Sequence, residues 1–142
     1  MDRMVVVDAS VLVSWFIRAD VHFQSSDAWL SRYLAGGGQP AVPTLLLSEL
    51  AGSIARRRQL TSAGLNAVWV LTHLAAVQIF PIDRTLGDLS ARIAADTQMR
   101  GADAVYVALA RAHGVPLITW DVEQHQRAAT LVAVSTPASY IF

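Results

Sequence analysis

Short β-branched runs alternate along the chain with longer segments of helical period. The runs are MVVVD (4–8), PAVP (40–43), VQIFPI (77–82), PLITW (116–120) and LVAVS (131–135). Between them lie ASVLVSWFI (9–17), TLLLSELAGSIARRRQ (44–59), RTLGDLSARIAADTQ (84–98) and VEQHQRAA (122–129), read as helices, with a further helix opening at Gly101 or Ala102. Strands separated by helices predict an α/β domain, a small parallel sheet covered on both faces. Gly36–Gly38 with Pro40 and Gly114 with Pro116 mark turns before the second and fourth strands. The triple glycine follows a helix and precedes a strand, the reverse of a phosphate-cradling loop, so it reads as a helix stop. No linker or repeat divides the sequence, which predicts a single domain over residues 1–142.

The most apolar window, LNAVWVLTHLAAVQIFPI (65–82), is broken by Asn66, Thr72, His73, Gln78 and Pro81, so a buried helix followed by a strand is expected rather than a membrane span. Trp15, Trp29, Trp69, Trp120 and Met99 are expected in the core or an interface. The 54% hydrophobic content, 15% charged residues and mean hydropathy of +0.39 predict more apolar surface than a monomer hides, hence an oligomer or a partner groove. The formal net charge is zero, and all eleven basic residues are Arg. The absence of Lys excludes P-loop, Schiff-base and receiver-type chemistry. The absence of Cys excludes thiol nucleophiles and thiolate zinc sites, and His22, His73, His113 and His125 form no ligand pair. The start, MDRMVVVDAS, lacks the pattern of a signal peptide, so the cytoplasm is the expected location.

The acids carry the candidate chemistry. In a parallel sheet the strands finish on one edge, where ligands bind, and Asp8, Asp83 and Asp121 each close a predicted run. Each also precedes a helix and would serve as an N-cap, and Asp121 with Gln124 resembles a capping box. Glu49 lies on a helix face with Leu45, Leu46, Gly52 and Ser53, has no Arg at i±3 or i±4, and has small neighbours that leave room for something to approach. Asp103 sits in the first turn of its helix, where the dipole favours an acid. Several carboxylates at one crevice repel unless a cation joins them, and oxygen-only ligands select a hard ion, Mg²⁺ or Mn²⁺.

The stretches VVVDASVL, PTLLLSELA, RGADAVYVALARAHGVPLIT and TWD, in this order, resemble the PIN-domain family and, within it, VapC-type toxin ribonucleases of type II toxin–antitoxin systems. The resemblance spans the chain and implies a PIN-like three-layer α/β fold, a small central parallel sheet flanked by helices with the first strand in the middle. By position it implies that Asp8, Glu49, Asp103 and Asp121 bind Mg²⁺ and catalyse hydrolysis of RNA, leaving a 5′-phosphate and a 3′-hydroxyl. Ser10 and Thr119 match hydroxyl positions that orient carboxylates or waters, and Asp83 falls outside the site. One position departs from the pattern: Trp120, before Asp121, is bulky for the rim of such a site. Arg100 is the leading phosphate contact by sequence proximity, followed by Arg56 and Arg57, although cations in a last helical turn also complement the dipole.

The same resemblance implies a homodimer and a small antitoxin whose tail would lie on VLVSWFI, SDAWLSRYLA and AVWVLTHLAA. RNA loops of tRNA or ribosomal RNA are the expected substrates. The rival reading is a non-catalytic module of the same fold that only docks protein or RNA.

Overall fold

A computed structural model describes residues 2–142. The elements in chain order are β1 (Met4–Val7), α1 (Ala9–Phe16), α2 (Phe23–Ala35), β2 (Gln39–Pro43), α3 (Leu45–Arg58), α4 (Thr61–Thr72), β3 (Gln78–Phe80), α5 (Arg84–Thr97), α6 (Gly101–His113), β4 (Leu117–Ile118), α7 (Val122–Ala128) and β5 (Val134–Ser135). The strands form one sheet in the order β3-β2-β1-β4-β5, and every neighbouring pair is parallel. β1 is therefore central, as the family resemblance implies, and the α/β reading of the alternating pattern holds.

β1 is buried on both faces, with Val5, Val6 and Val7 fully inaccessible, which is why it reads as a continuous apolar run rather than an alternating one. Leu12, Leu46, Leu50, Val107 and Leu109 close the core from the helices on either side. Trp29 and Met99 are buried as expected, whereas Trp69 is 59% exposed.

Several runs are longer in sequence than the strands they form. VQIFPI pairs only over Gln78–Phe80, because Pro81 has no N–H with which to extend the ladder. PLITW pairs only over Leu117–Ile118, and LVAVS only over Val134–Ser135. The apolar window after Leu65 does give a helix and then a strand, but α4 is not the buried helix expected. It covers Gly64, Ala67 and Leu71 and leaves Leu65 62% exposed beside Trp69. No helix among the described residues is long and apolar enough to cross a membrane.

Candidate active site

The backbone of β1 ends at Val7, and Asp8 follows in extended conformation as the N-cap of α1. Its Oδ2 accepts from the Ser10 backbone N–H at 3.0 Å and from the Thr119 hydroxyl at 3.3 Å, and its Oδ1 accepts from Gln124 Nε2 at 3.3 Å. Capping and candidate function thus coincide at one carboxylate, which is only 5% exposed. Asp121 follows β4 and caps α7, accepting from the Gln124 backbone N–H at 3.0 Å. Asp83 caps α5 in the same way, through the Leu86 N–H, but after β3 at the sheet's edge and away from the other acids.

The capping box read at Asp121 is only half formed. The side chain of Gln124 does not return to the Asp121 N–H, which donates instead to Thr119 Oγ1 at 3.0 Å. Gln124 turns inward, where its Nε2 donates to Asp8 Oδ1 and, at 3.2 Å, to the backbone carbonyl of Asp103. It is 1% exposed, and its Oε1 has no partner.

Asp103 lies in the first turn of α6, and Glu49 projects from α3. Glu49 lacks a cationic partner on its own helix, as its spacing predicts, but it is not unpaired. The Tyr106 hydroxyl donates to Glu49 Oε1 at 2.6 Å from a fully buried ring. Burial raises the Glu49 pKa above the ordinary glutamate value, and the charges of Asp8 and Asp103 add to the rise against the Tyr106 hydrogen bond. Burial likewise raises Asp103; Arg100 opposes this, while Asp8 and Asp121 reinforce it. Tyr106 is raised far above an ordinary phenol by burial and by Glu49. The acids therefore sense one another.

Arg100, the N-cap residue of α6, stands at the mouth of this group. Its Nε donates to Asp103 Oδ2 at 3.0 Å and its NH2 to Asp121 Oδ2 at 3.4 Å, while its side chain stays 74% exposed. The guanidinium stands in for a cation between two carboxylates. Ser10 and Thr119 lie behind the acids: Ser10 Oγ accepts the Trp120 N–H at 3.0 Å and meets Thr119 Oγ1 at 3.3 Å. Trp120 turns toward α2, where its indole N–H donates to Ser26 at 2.8 Å and its ring stacks on His22 at 4.0 Å, and it lines the groove beside Glu49.

Arg56 and Arg57 end α3. Arg57 is held by Asp20 at 2.8 Å, whereas Arg56 has no ion-pair partner among the described residues. Both line a groove with Glu49, Ser53 and Trp120, so the space that small neighbours predict beside Glu49 is present. Tyr106 and Gln124 were not legible as site residues. Tyr106 does follow Asp103 by three positions on one helix face, the single local signal that linked it to the acids.

The donor set of the site is oxygen-only, burial and neighbouring acids raise the pKa of Glu49 and of Asp103, and a guanidinium already bridges Asp103 and Asp121; that chemistry fits a hard cation. Among the described residues no three acidic, His or Cys side chains converge to the spacing of one coordination shell.

A model of the family described as PIN domain matches residues 5–130. No curated protein matches the sequence. Among solved structures, the chain is similar to FitAcB from Neisseria gonorrhoeae (TM-score 0.73, 20% identity, covering 94% of this chain and 98% of that one). It is also similar to VapBC2 from Rickettsia felis bound to a promoter DNA fragment (TM-score 0.72, 12% identity, 94% and 98% covered). A third similar structure is Mycobacterium tuberculosis VapC20, described as a sarcin–ricin loop cleaving toxin (TM-score 0.71, 15% identity, 89% and 94% covered).

Proposed function

The chain belongs to the PIN domain family, and from that premise we propose that it is a Mg²⁺-dependent endoribonuclease, the toxin of a type II toxin–antitoxin pair. Its substrates are phosphodiester bonds in single-stranded or looped RNA, such as loops of tRNA or ribosomal RNA. What supports this reading is that Glu49 feels the charges of Asp8 and Asp103 while Asp103 and Asp121 share the Arg100 guanidinium, which links acids from four separate elements in pairs.

Asp8 and Asp103, with Glu49 and Asp121, would hold Mg²⁺ or Mn²⁺, which supplies Lewis acidity toward water and the scissile phosphate. The chain's own residues prepare that function. Three donors on Asp8 fix its carboxylate, and Gln124 ties it to the first turn of α6. Tyr106 aims Glu49, and Thr119 links the Asp121 backbone to Asp8. Such supporting hydrogen bonds orient ligands and typically govern about 10- to 100-fold in affinity or activity. Arg100 is exposed and already carries the geometry of an anion clamp, so it is the residue to meet a substrate phosphate once its carboxylates are otherwise neutralised.

The similar structures include a toxin–antitoxin complex from Klebsiella pneumoniae, which supports a small antitoxin as the partner. The exposed Leu60, Leu65 and Trp69 around α4 support a homodimer. Incubating the purified chain with single-stranded RNA tests the enzyme reading against a non-catalytic docking module. Cleavage is expected with Mg²⁺ and none with EDTA or in a D8N/D103N double variant. Full cleavage by that variant refutes the assignment.

A further inference from the structure

We propose that the groove beside Glu49 is a subsite for one unpaired nucleotide flanking the scissile phosphate, with His22 and Trp120 taking the base and Arg56 taking its outer phosphate. This rests on the nuclease reading above and narrows its substrate to RNA whose bases are free to leave a stack.

The groove encloses about 530 Å³, within the roughly 300–1,000 Å³ of sites that take small ligands. It runs from Glu49 and Ser10, at the acids, between the first turn of α1, the segment before α2 and the last turns of α3. One wall is aromatic. His22 and Trp120 are stacked, with ring centres 4.0 Å apart and planes 9° from parallel. Trp120 is fixed by its backbone N–H on Ser10 and its indole N–H on Ser26. The His22 backbone N–H donates to Asp20 Oδ1 at 2.8 Å, and its ring is held by stacking on Trp120. A rigid ring pair costs little further ordering when a base is added to it, and every base has a face to stack.

The charge pattern of the groove is selective. Asp20 neutralises Arg57 through a 2.8 Å contact while holding the His22 backbone, so one carboxylate consumes one cation and anchors the segment that carries His22. Burial pushes the Asp20 pKa up, but the His22 N–H and Arg57 outweigh it and keep the acid below its ordinary value. Arg56, exposed and without an ion-pair partner among the described residues, is left to the ligand. Its guanidinium reaches back over Gly52 toward the Glu49 turn, 3.4 Å from where a Cβ at Gly52 would lie. A cation, an aromatic wall and the hydroxyls of Ser48 and Ser53 in one groove match the phosphate, base and ribose of a nucleotide. In a duplex those base faces are already covered by neighbouring pairs, so the ligand is unpaired.

The test uses five-nucleotide single-stranded oligoribonucleotides in EDTA, titrated into the full chain and its H22A, H22F and R56A variants. Affinity and the ¹H–¹⁵N indole resonance of Trp120 are both followed. The wild type and H22F should bind, with the Trp120 signal shifting while that of Trp69 stays still. H22A should weaken binding roughly 5- to 160-fold, the range for losing one stacked base. R56A should lower the slope of log affinity against log salt by about 0.7, the signature of one lost phosphate contact to a single strand. A hairpin duplex with no overhang should bind more weakly than the single strand. An unmoved Trp120 signal at saturating RNA, or H22A and R56A binding like wild type, overturns the subsite. The same oligomers incubated with Mg²⁺ separate the two claims. Hydrolysis with unaltered affinity in both variants removes the subsite and leaves the nuclease, whereas wild-type binding lost in H22A without hydrolysis removes the nuclease and leaves the subsite.

Discussion

Replacing either central acid by its amide should abolish cleavage, but the two replacements should differ in stability, and the difference follows from their hydrogen bonds. Asp8 is 5% exposed and accepts from Ser10, Thr119 and Gln124. In D8N the amide oxygen can keep the Ser10 N–H and the Thr119 hydroxyl, because Asn caps a helix as well as Asp does. Its NH₂ then faces Gln124 Nε2, donor against donor. Rotating Gln124 would present its unpartnered Oε1 to the new amide, but Nε2 would then leave the Asp103 carbonyl. Either way the cluster ends one buried hydrogen bond short, a loss of about 1–1.5 kcal/mol, or roughly 3–6 °C in Tm for a chain of this length. D103N is different. Its partner Arg100 is 74% exposed and still finds an amide oxygen, so little stability is lost with the pair, as for solvent-exposed ion pairs generally. Against that stands the relief of a half-buried acid whose pKa burial has raised. D103N should melt at or above the wild-type temperature. Thermal unfolding of both variants in EDTA, followed by circular dichroism, measures this directly. A D103N protein less stable than D8N would refute the reasoning.

Other consequences follow from the same contacts. In metal-free buffer, E49Q should be more stable than wild type at neutral pH. The raised Glu49 pKa means that the stability tied to its protonated form is present below the ordinary value of 4.5 and lost as pH rises through the folded value, so the gap should close on acidification; urea melts from pH 4 to 8 read it, and a gap that widens toward acid contradicts it. Y106F removes the 2.6 Å hydrogen bond on Glu49 and should weaken Mn²⁺ binding about 10- to 100-fold by calorimetry; unchanged affinity would dismiss Tyr106 as a positioning residue. R100A should bind Mn²⁺ more tightly than wild type, since a competing cation leaves Asp103 and Asp121, while its cleavage rate falls; weaker Mn²⁺ binding would show that Arg100 does not compete. G64A should destabilise the chain by more than the helix propensity gain of about 1 kcal/mol can offset, because a Cβ at Gly64 runs into the Ala51 carbonyl of α3, and a stabilised G64A would contradict that close approach.

The parallel sheet was legible because strands and helices differ in period, the central place of its first strand only through the family resemblance, and Asp8 and Asp121 because an acid closing a strand and opening a helix is a local pattern. Asp83 has the same pattern and lies on the edge strand β3, so local pattern alone does not select the site. What sequence reading lacked was contact between distant residues. Tyr106 meets Glu49 across 57 positions and Gln124 meets Asp8 across 116, and neither pairing leaves a local trace. Gln124 reads as a capping residue because the backbone half of that role is real; its side chain is drawn inward by a buried carboxylate that needs a donor. In PLITW the ladder ends with the Thr119 N–H, which still reaches the Ser135 carbonyl, because the N–H of Trp120 is turned to Ser10 Oγ in the site instead of to a neighbouring strand. On α4, apolar residues surround the helix, so period could not say which face α3 would cover.

The central claim is that the acids at the strand ends bind a divalent ion, with the Arg100 guanidinium as its placeholder. A crystal grown with Mn²⁺ and measured at the manganese absorption edge tests it most directly. The account predicts an anomalous peak bonded to Asp8 and Asp103 with the Arg100 guanidinium displaced from Asp103. Manganese absent from the acids, with Arg100 still bridging Asp103 and Asp121 at saturating Mn²⁺, would contradict it.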